Sequence, residues 1–234
     1  MSEPDILNER VELKVSDGTA MAGYVARPHD HGPHAGIIVL QEAFGVNSHI
    51  RHVAERLAQE GFVSIAPELF HRTAHGFEGD YMNFQPAMPH IRAMTAEGTE
   101  ADLRAVFDWL RQAPGVSAIH SMGFCMGGRV SFLANSILPL QSAVSYYGGG
   151  IAPELLPRAA ALKAPMLFFW GGRDKHIPPE QRHAVVDALS AAGKSFINVE
   201  FSEADHGFNC DERPSYHPRS AKLAWDLTLD FLNS

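Results

Sequence analysis

The chain has 234 residues, 45% of them hydrophobic and 20% charged, with a formal net charge of −8; this suits one large α/β domain, or two small ones, with a real buried core. The negative balance and the lack of any Lys/Arg run exclude a nucleic-acid partner, whose phosphates would need basic residues to neutralise them. No apolar stretch approaches the ~18 residues of a membrane helix, and the opening "MSEPDILNERVELK" is acidic and polar, so the expectation is a soluble cytoplasmic protein without a membrane partner.

Strand-like and helix-like segments alternate along the chain. "RVELKVS" (10–16) and "TAMAGYVA" (19–26) flank Asp17-Gly18 and read as an N-terminal hairpin. "GIIVLQ" (36–41) is a continuous β-branched run, as in a strand buried on both faces. Ile50, Val53, Ala54 and Leu57 then recur at helical spacing before a Gly61 stop. "FVSIAPEL" (62–69) is the next strand, and Leu103, Val106, Phe107 and Leu110 mark a helix stopped by Pro114-Gly115.

"VSAIHSMGF" (116–124) is a strand leading into a helix over 126–136, and "SAVSYYG" (142–148) and "PMLFFWG" (165–171) are further strands. Ala184, Val185, Ala188 and Leu189 mark a helix, "SFINVEF" (195–201) a strand, and 218–232 a closing helix. Such β-α alternation predicts an α/β fold, a mostly parallel central sheet with helices on both faces. No repeat, linker or composition break divides residues 1–234, so one domain is expected. The exception to the alternation is 70–98, rich in Phe, Met, His, Pro and Gly, which reads as a functional loop, a cap or short irregular helices.

Ligands of open parallel sheets bind at the carboxyl ends of the strands. Glu42, Cys125, Asp174 and His206 each follow a predicted strand there. Cys125 sits in "GFCMGG", between Gly123 and Gly127, on a strand-to-helix turn that requires small neighbours. The helix opening behind it favours a thiolate and offers the Met126 N–H to an oxyanion. A thiol needs a base, and the base a carboxylate to fix its tautomer; Cys125, Asp174 and His206 come in the order nucleophile, acid, histidine.

Over nearly its whole length the chain resembles the dienelactone hydrolase family of α/β-hydrolases. "QEAFGVN" (41–47), "GFCMGG" (123–128), "SYYGGG" (145–150), "GGRDKHIP" (171–178) and "ADHGF" (204–208) carry the resemblance. It implies an α/β-hydrolase fold and an esterase or lactonase in which Cys125 is the nucleophile, His206 the base and Asp174 its orienting acid. Glu42 would contact the resting thiol and move away when substrate binds. The N–H groups of Ala43 and Met126 would form the oxyanion hole, and Tyr146 and Phe208 would wall the pocket. The expected ligand is a small ester or lactone, with no metal or other cofactor, and the expected assembly a monomer or weak homodimer.

The pattern departs from the family at one place. Family members that act on dienelactone hold the substrate carboxylate with arginines, one of them four residues after the triad histidine, where this chain has Cys210. Arg72 and Arg92, within 70–98, remain as candidates for that contact. An unpaired carboxylate in an apolar pocket is costly, so neutral esters and lactones, or activated thioesters and phosphotriesters, come forward as substrates. A redox or metal protein using Cys125, Cys210 and His206 is the competing class. The four-residue spacing of His206 and Cys210 permits it, but the prolines that follow argue against a helix and no fourth ligand is evident. A regulatory disulfide between the two cysteines would be an oxidation liability of the hydrolase. A non-catalytic domain that kept the fold is opposed by the intact triad.

Overall fold

The alternation around Asp17-Gly18 does form a hairpin. In the computed structural model, which describes residues 5–30 and 32–234, β1 (Ile6–Lys14) pairs antiparallel with β2 (Ala20–Pro28). The Asp17 carboxylate closes the turn by accepting the Thr19 N–H at 3.0 Å and its hydroxyl at 2.6 Å. The first four residues of the polar N-terminal segment lie outside the described residues.

The apolar runs become β3 (His34–Leu40), β4 (Val63–Pro67), β5 (Val116–Phe124), β6 (Ser142–Tyr146), β7 (Met166–Gly171) and β8 (Phe196–Phe201). The strand order is β1-β2-β4-β3-β5-β6-β7-β8. The pair β3–β4 and the pairs β6–β7 and β7–β8 are parallel, while β2 runs antiparallel to β4. Every residue of β4, β6 and β7 is buried, which is why none of these strands alternates and β7 reads as an unbroken apolar run.

Chain contacts divide the molecule into two compact units, residues 1–120 and 121–234, with the division inside β5. In the first unit α1 (Ser48–Gln59) buries the face containing Ile50, Val53, Ala54 and Leu57. Its first turn is capped by Asn47, whose Oδ1 accepts the Ile50 N–H at 3.2 Å. The helix α3 (Ala96–Gln112) starts at Thr95, which caps Gly98 N–H at 3.0 Å, and buries Leu103, Val106, Phe107 and Leu110. No helix among the described residues is long and apolar enough to cross a membrane.

The segment 70–98 holds short irregular helices: a 3-10 turn at Gln85–Ala87 and α2 (Met88–Ala93). It is fastened to the loop that follows β3. Gly79 N–H donates to the Phe44 carbonyl at 3.0 Å, and the Phe44 ring lies 4.6 Å from that of Tyr81. Asn47 Nδ2 donates to the Tyr81 hydroxyl at 2.9 Å, and Arg51 pairs with Glu78 at 2.6 Å.

In the second unit α4 (Met126–Ile137), α5 (Pro179–Ala191) and α6 (Pro218–Leu232) follow β5, β7 and β8. A 3-10 segment at Leu156–Ala161 was not legible as an element; proline and a short alanine run give no period to read.

Burial on β5 holds the His120 imidazole down to about 4 from its ordinary 6.5. An unfolded chain protonates this histidine below 6.5, whereas the folded chain resists until about 4. The linkage therefore removes stability as the pH falls through that window, by about 3 kcal/mol in all. Urea unfolding at several pH values is expected to show His120→Gln with a shallower loss of stability between these limits than the native chain.

Candidate active site

β5 ends at Phe124, and the chain must reverse into α4 within one residue. That residue is Cys125, at φ 53° and ψ −116°, a left-handed conformation that costs a side-chain-bearing residue about 1–3 kcal/mol. Two backbone hydrogen bonds hold it there: Cys125 N–H to the Tyr146 carbonyl and Gly128 N–H to the Cys125 carbonyl, both 3.0 Å. The turn is so tight that a Cβ on Gly123 would lie 2.0 Å from the Gly127 carbonyl oxygen. The thiol is half-buried and free. Met126 is the first residue of α4, so its N–H has no acceptor within the helix and lies at the positive end of the dipole.

Asp174 lies in the turn after β7, its backbone N–H donating to the Gly171 carbonyl at 3.3 Å. Oδ1 accepts the N–H groups of His176 (2.7 Å) and Ile177 (3.2 Å), and Oδ2 faces His206 Nδ1 at 2.7 Å. Burial opposes the charge on Asp174, yet the His206 contact and the two backbone donors outweigh it and hold the carboxyl below its usual range.

His206 follows β8 in "ADHGF", its backbone N–H bonded to Asp205 Oδ1 at 2.7 Å. With Nδ1 committed to Asp174, Nε2 is left for Cys125, to which the ring is hydrogen-bonded. Burial alone would favour neutral imidazole. The electrostatic influence of Cys125, together with the hydrogen bonds to Asp174 and Cys125, prevails and pushes His206 up to about 10. Asp174 thus fixes the outer nitrogen of the ring, and Cys125 faces the inner one.

The other expected residues take different places. Tyr146 is core rather than pocket wall: it has no exposed surface, its ring packs on Phe124 and Phe169, and its hydroxyl meets Thr228 Oγ1 at 2.7 Å. Its successor Tyr147 lies beside the triad, with its ring 5.1 Å from His206. Phe208 is also fully buried and stands behind Tyr147, the rings 5.3 Å apart. Cys210 is buried and unoxidised; His206 is engaged by Asp174 and Cys125 rather than shared with it.

Glu42 and Ala43 belong to the first unit, in the loop after β3, where both are buried. Arg72 is already neutralised there: it reaches Asp102 through Nη1 and Nη2 (2.8 Å each) and Asp17 through Nε (2.8 Å). Its role is to tie the β1–β2 turn to α3. Arg92 stands exposed on α2.

One cation beside the triad was not legible from spacing. Gly207 has φ 77°, and a Cβ there would lie 2.4 Å from Nη1 and 2.5 Å from Cζ of Arg213. The guanidinium thus packs on the backbone next to His206. Successive turns bring it back, with Cys210 N–H to the Gly207 carbonyl at 3.0 Å and Arg213 N–H to the Cys210 carbonyl at 3.1 Å.

Comparison with known proteins places the chain among a family of hydrolases. The model of the "Dienelactone hydrolase family" matches residues 21–234. A Yersinia pestis protein named "Putative carboxymethylenebutenolidase" is 36% identical over 227 residues, covering 92% of this chain and 84% of the relative. A Pseudomonas putida protein named "Carboxymethylenebutenolidase" is 29% identical over 232 residues, covering 97% of each. Among solved structures, one titled "Putative Dienelactone Hydrolase" from Klebsiella pneumoniae superposes with a TM-score of 0.89 at 33% identity, covering 97% of this chain and 98% of that one.

The elbow gives a direct test of packing. Gly123→Ala is expected to cost about 3 kcal/mol or more, because the new methyl meets backbone that cannot withdraw. Gly149→Ala meets only Ile177 side-chain carbons at 3.6 and 3.7 Å and should be nearly neutral when both are measured by urea unfolding.

Proposed function

This chain belongs to the dienelactone hydrolase family and is a hydrolase; on that premise we propose that it cleaves esters or lactones through a covalent acyl-enzyme on Cys125. The observation that carries the reading is the 2.7 Å bond from Asp174 to His206, together with the charge that Cys125 stabilises on the imidazole.

Cys125 Sγ attacks the carbonyl carbon and forms the C–S bond, and the carbonyl oxygen becomes an oxyanion that the Met126 N–H faces from the start of α4. As the intermediate collapses, the C–O bond breaks and His206 Nε2 gives its proton to the leaving oxygen. In a lactone that oxygen remains tethered to the acyl chain. Water then gives a proton to His206 and attacks the thioester, the C–S bond breaks, and the thiolate–imidazolium pair is restored. Asp174 stays ionised throughout and stabilises the charged ring.

The position four residues after His206 is a cysteine, but Arg213 brings a guanidinium to Gly207 from further along the chain. The guanidinium beside His206 supports a carboxylate-bearing lactone as substrate, with Arg213 as the contact for its carboxylate. A charge-assisted hydrogen bond is worth about 1.5–3 kcal/mol, roughly a tenfold to hundredfold rate effect.

Cys125→Ala is expected to lose turnover of an aryl ester by at least about a thousandfold, and acid-quenched native enzyme should carry an acyl group on the Cys125 peptide by mass spectrometry. Full activity of the variant would overturn the covalent reading. Arg213→Leu should lower kcat/KM for a carboxylate-bearing lactone roughly tenfold to a hundredfold more than for a neutral aryl ester. An equal loss on both would remove the carboxylate assignment.

A further inference from the structure

Arg182 lies in the first turn of α5, and its side chain is only 5% exposed. Burying a guanidinium is costly unless its N–H groups find partners. The carboxylate it pairs with, Glu200 on β8, is 3.6 Å away and itself exposed, and Nε has no hydrogen-bond partner. So loose a pair with an exposed acid does not account for the burial. The short bond goes to backbone instead: Nη1 donates to the Gly171 carbonyl at 2.6 Å.

Gly171 is the last residue of β7, and its carbonyl is also the acceptor of the Asp174 N–H, at the longer distance of 3.3 Å. Arg182 N–H bonds to the Pro178 carbonyl at 3.4 Å, so this one residue grips both ends of the loop that carries Asp174. Gly171 touches the histidine loop as well. A Cβ there would lie 2.7 Å from the Ala204 carbonyl oxygen and 2.9 Å from that of Asp205, and Arg173 N–H donates to the same Ala204 carbonyl at 2.9 Å. The placing of one peptide thus governs how the acid turn lies against the loop of His206, and the 2.7 Å contact of Asp174 Oδ2 with His206 Nδ1 depends on it.

We propose that Arg182 is a positioning residue for the Asp174–His206 pair, holding the Gly171 carbonyl so that the acid turn meets the histidine loop at hydrogen-bond distance. This rests on the triad reading above. The guanidinium acts through the Gly171 peptide. Without it that oxygen keeps only the long bond from Asp174, and the end of β7 loses its tie to α5. A misplacement of about 1 Å caused from outside the chemistry can cost about a hundredfold in rate.

The test is a double-mutant cycle on the full-length enzyme, combining Arg182→Met and Arg182→Lys with Asp174→Ala. It is read by kcat and KM for an aryl ester and by thermal unfolding. Arg182→Met should lower kcat about tenfold to a hundredfold and change KM by less than about twofold. Arg182→Lys, which keeps the charge and a donor on a shorter stem, should lose less, about threefold. In the Asp174→Ala background neither substitution should lower kcat further, because the side chain being placed is gone. A native kcat in Arg182→Met, with only the unfolding temperature lowered, would make Arg182 a structural cation and overturn the proposal. An equal loss in both backgrounds would overturn it too, since the effect would not pass through Asp174. Should Arg182→Met not fold, Arg182→Lys decides by the same comparison, and a native kcat in it overturns the proposal. Asp174→Ala with native kcat would overturn the triad reading and this inference with it.

Discussion

The left-handed backbone at Cys125 is the constraint from which much of the second unit follows. A strand that turns into a helix across one residue brings its last residues against the first turn of that helix. There is then no room for a side chain at Gly123, where the Gly127 carbonyl occupies the space. The same turn directs Cys125 N–H to the Tyr146 carbonyl, binding Cys125 to the end of β6. Strain of about 1–3 kcal/mol is a sizeable share of a domain's net stability. It persists because the hydrogen bonds and the start of α4 leave the residue no alternative conformation that keeps both elements packed.

The polar half of the site is a contest between desolvation and pairing. Burial opposes charge on both Asp174 and His206, and for each of them it is the largest single influence. Pairing prevails because it is multiple: Asp174 receives two backbone N–H groups besides the imidazole, and His206 is bonded to both Asp174 and Cys125. Removing one partner of such a buried pair leaves an uncompensated charge, at a cost of about 3–5 kcal/mol. The same arithmetic accounts for Arg72 in the first unit. Asp102, buried on α3, takes two of its N–H groups as well as His71 Nε2 at 3.1 Å, so the guanidinium completes a structural network.

What could be read from the sequence was what depends on local pattern. Apolar runs gave the strands, the Asp17-Gly18 pair gave the hairpin, and the strand ends pointed to Cys125, Asp174 and His206, whose side chains the fold brings together. Errors arose where a side chain's direction depends on distant backbone. Tyr146 and Tyr147 are chemically identical, and strand alternation alone cannot say which one faces the site. The answer depends on a left-handed turn fixed by a carbonyl on β7. Arg213 was invisible for a similar reason, since the turns at Gly207, Cys210 and Arg213 carry no periodic signature. Arg72 looked available because its partners, Asp17 and Asp102, lie 55 and 30 residues away.

The segment 70–98 shows how a motif can answer to chain far from it. "QEAFGVN" looks self-contained, yet Gly45 within it has φ 78°, and a Cβ there would lie 1.8 Å from the carbonyl oxygen of Phe77. The glycine is required by both the turn and the chain crossing it. Phe44 and Asn47, on either side, contact the same crossing segment through the Tyr81 ring and hydroxyl. Asn47 also caps α1, so one side chain joins that helix to the crossing segment. The aromatic richness of 70–98 thus has a packing cause. With almost no regular structure to supply backbone partners, the segment is held by rings, by bonds to the loop after β3 and by His71 and Arg72 on Asp102, and the loop is held in turn.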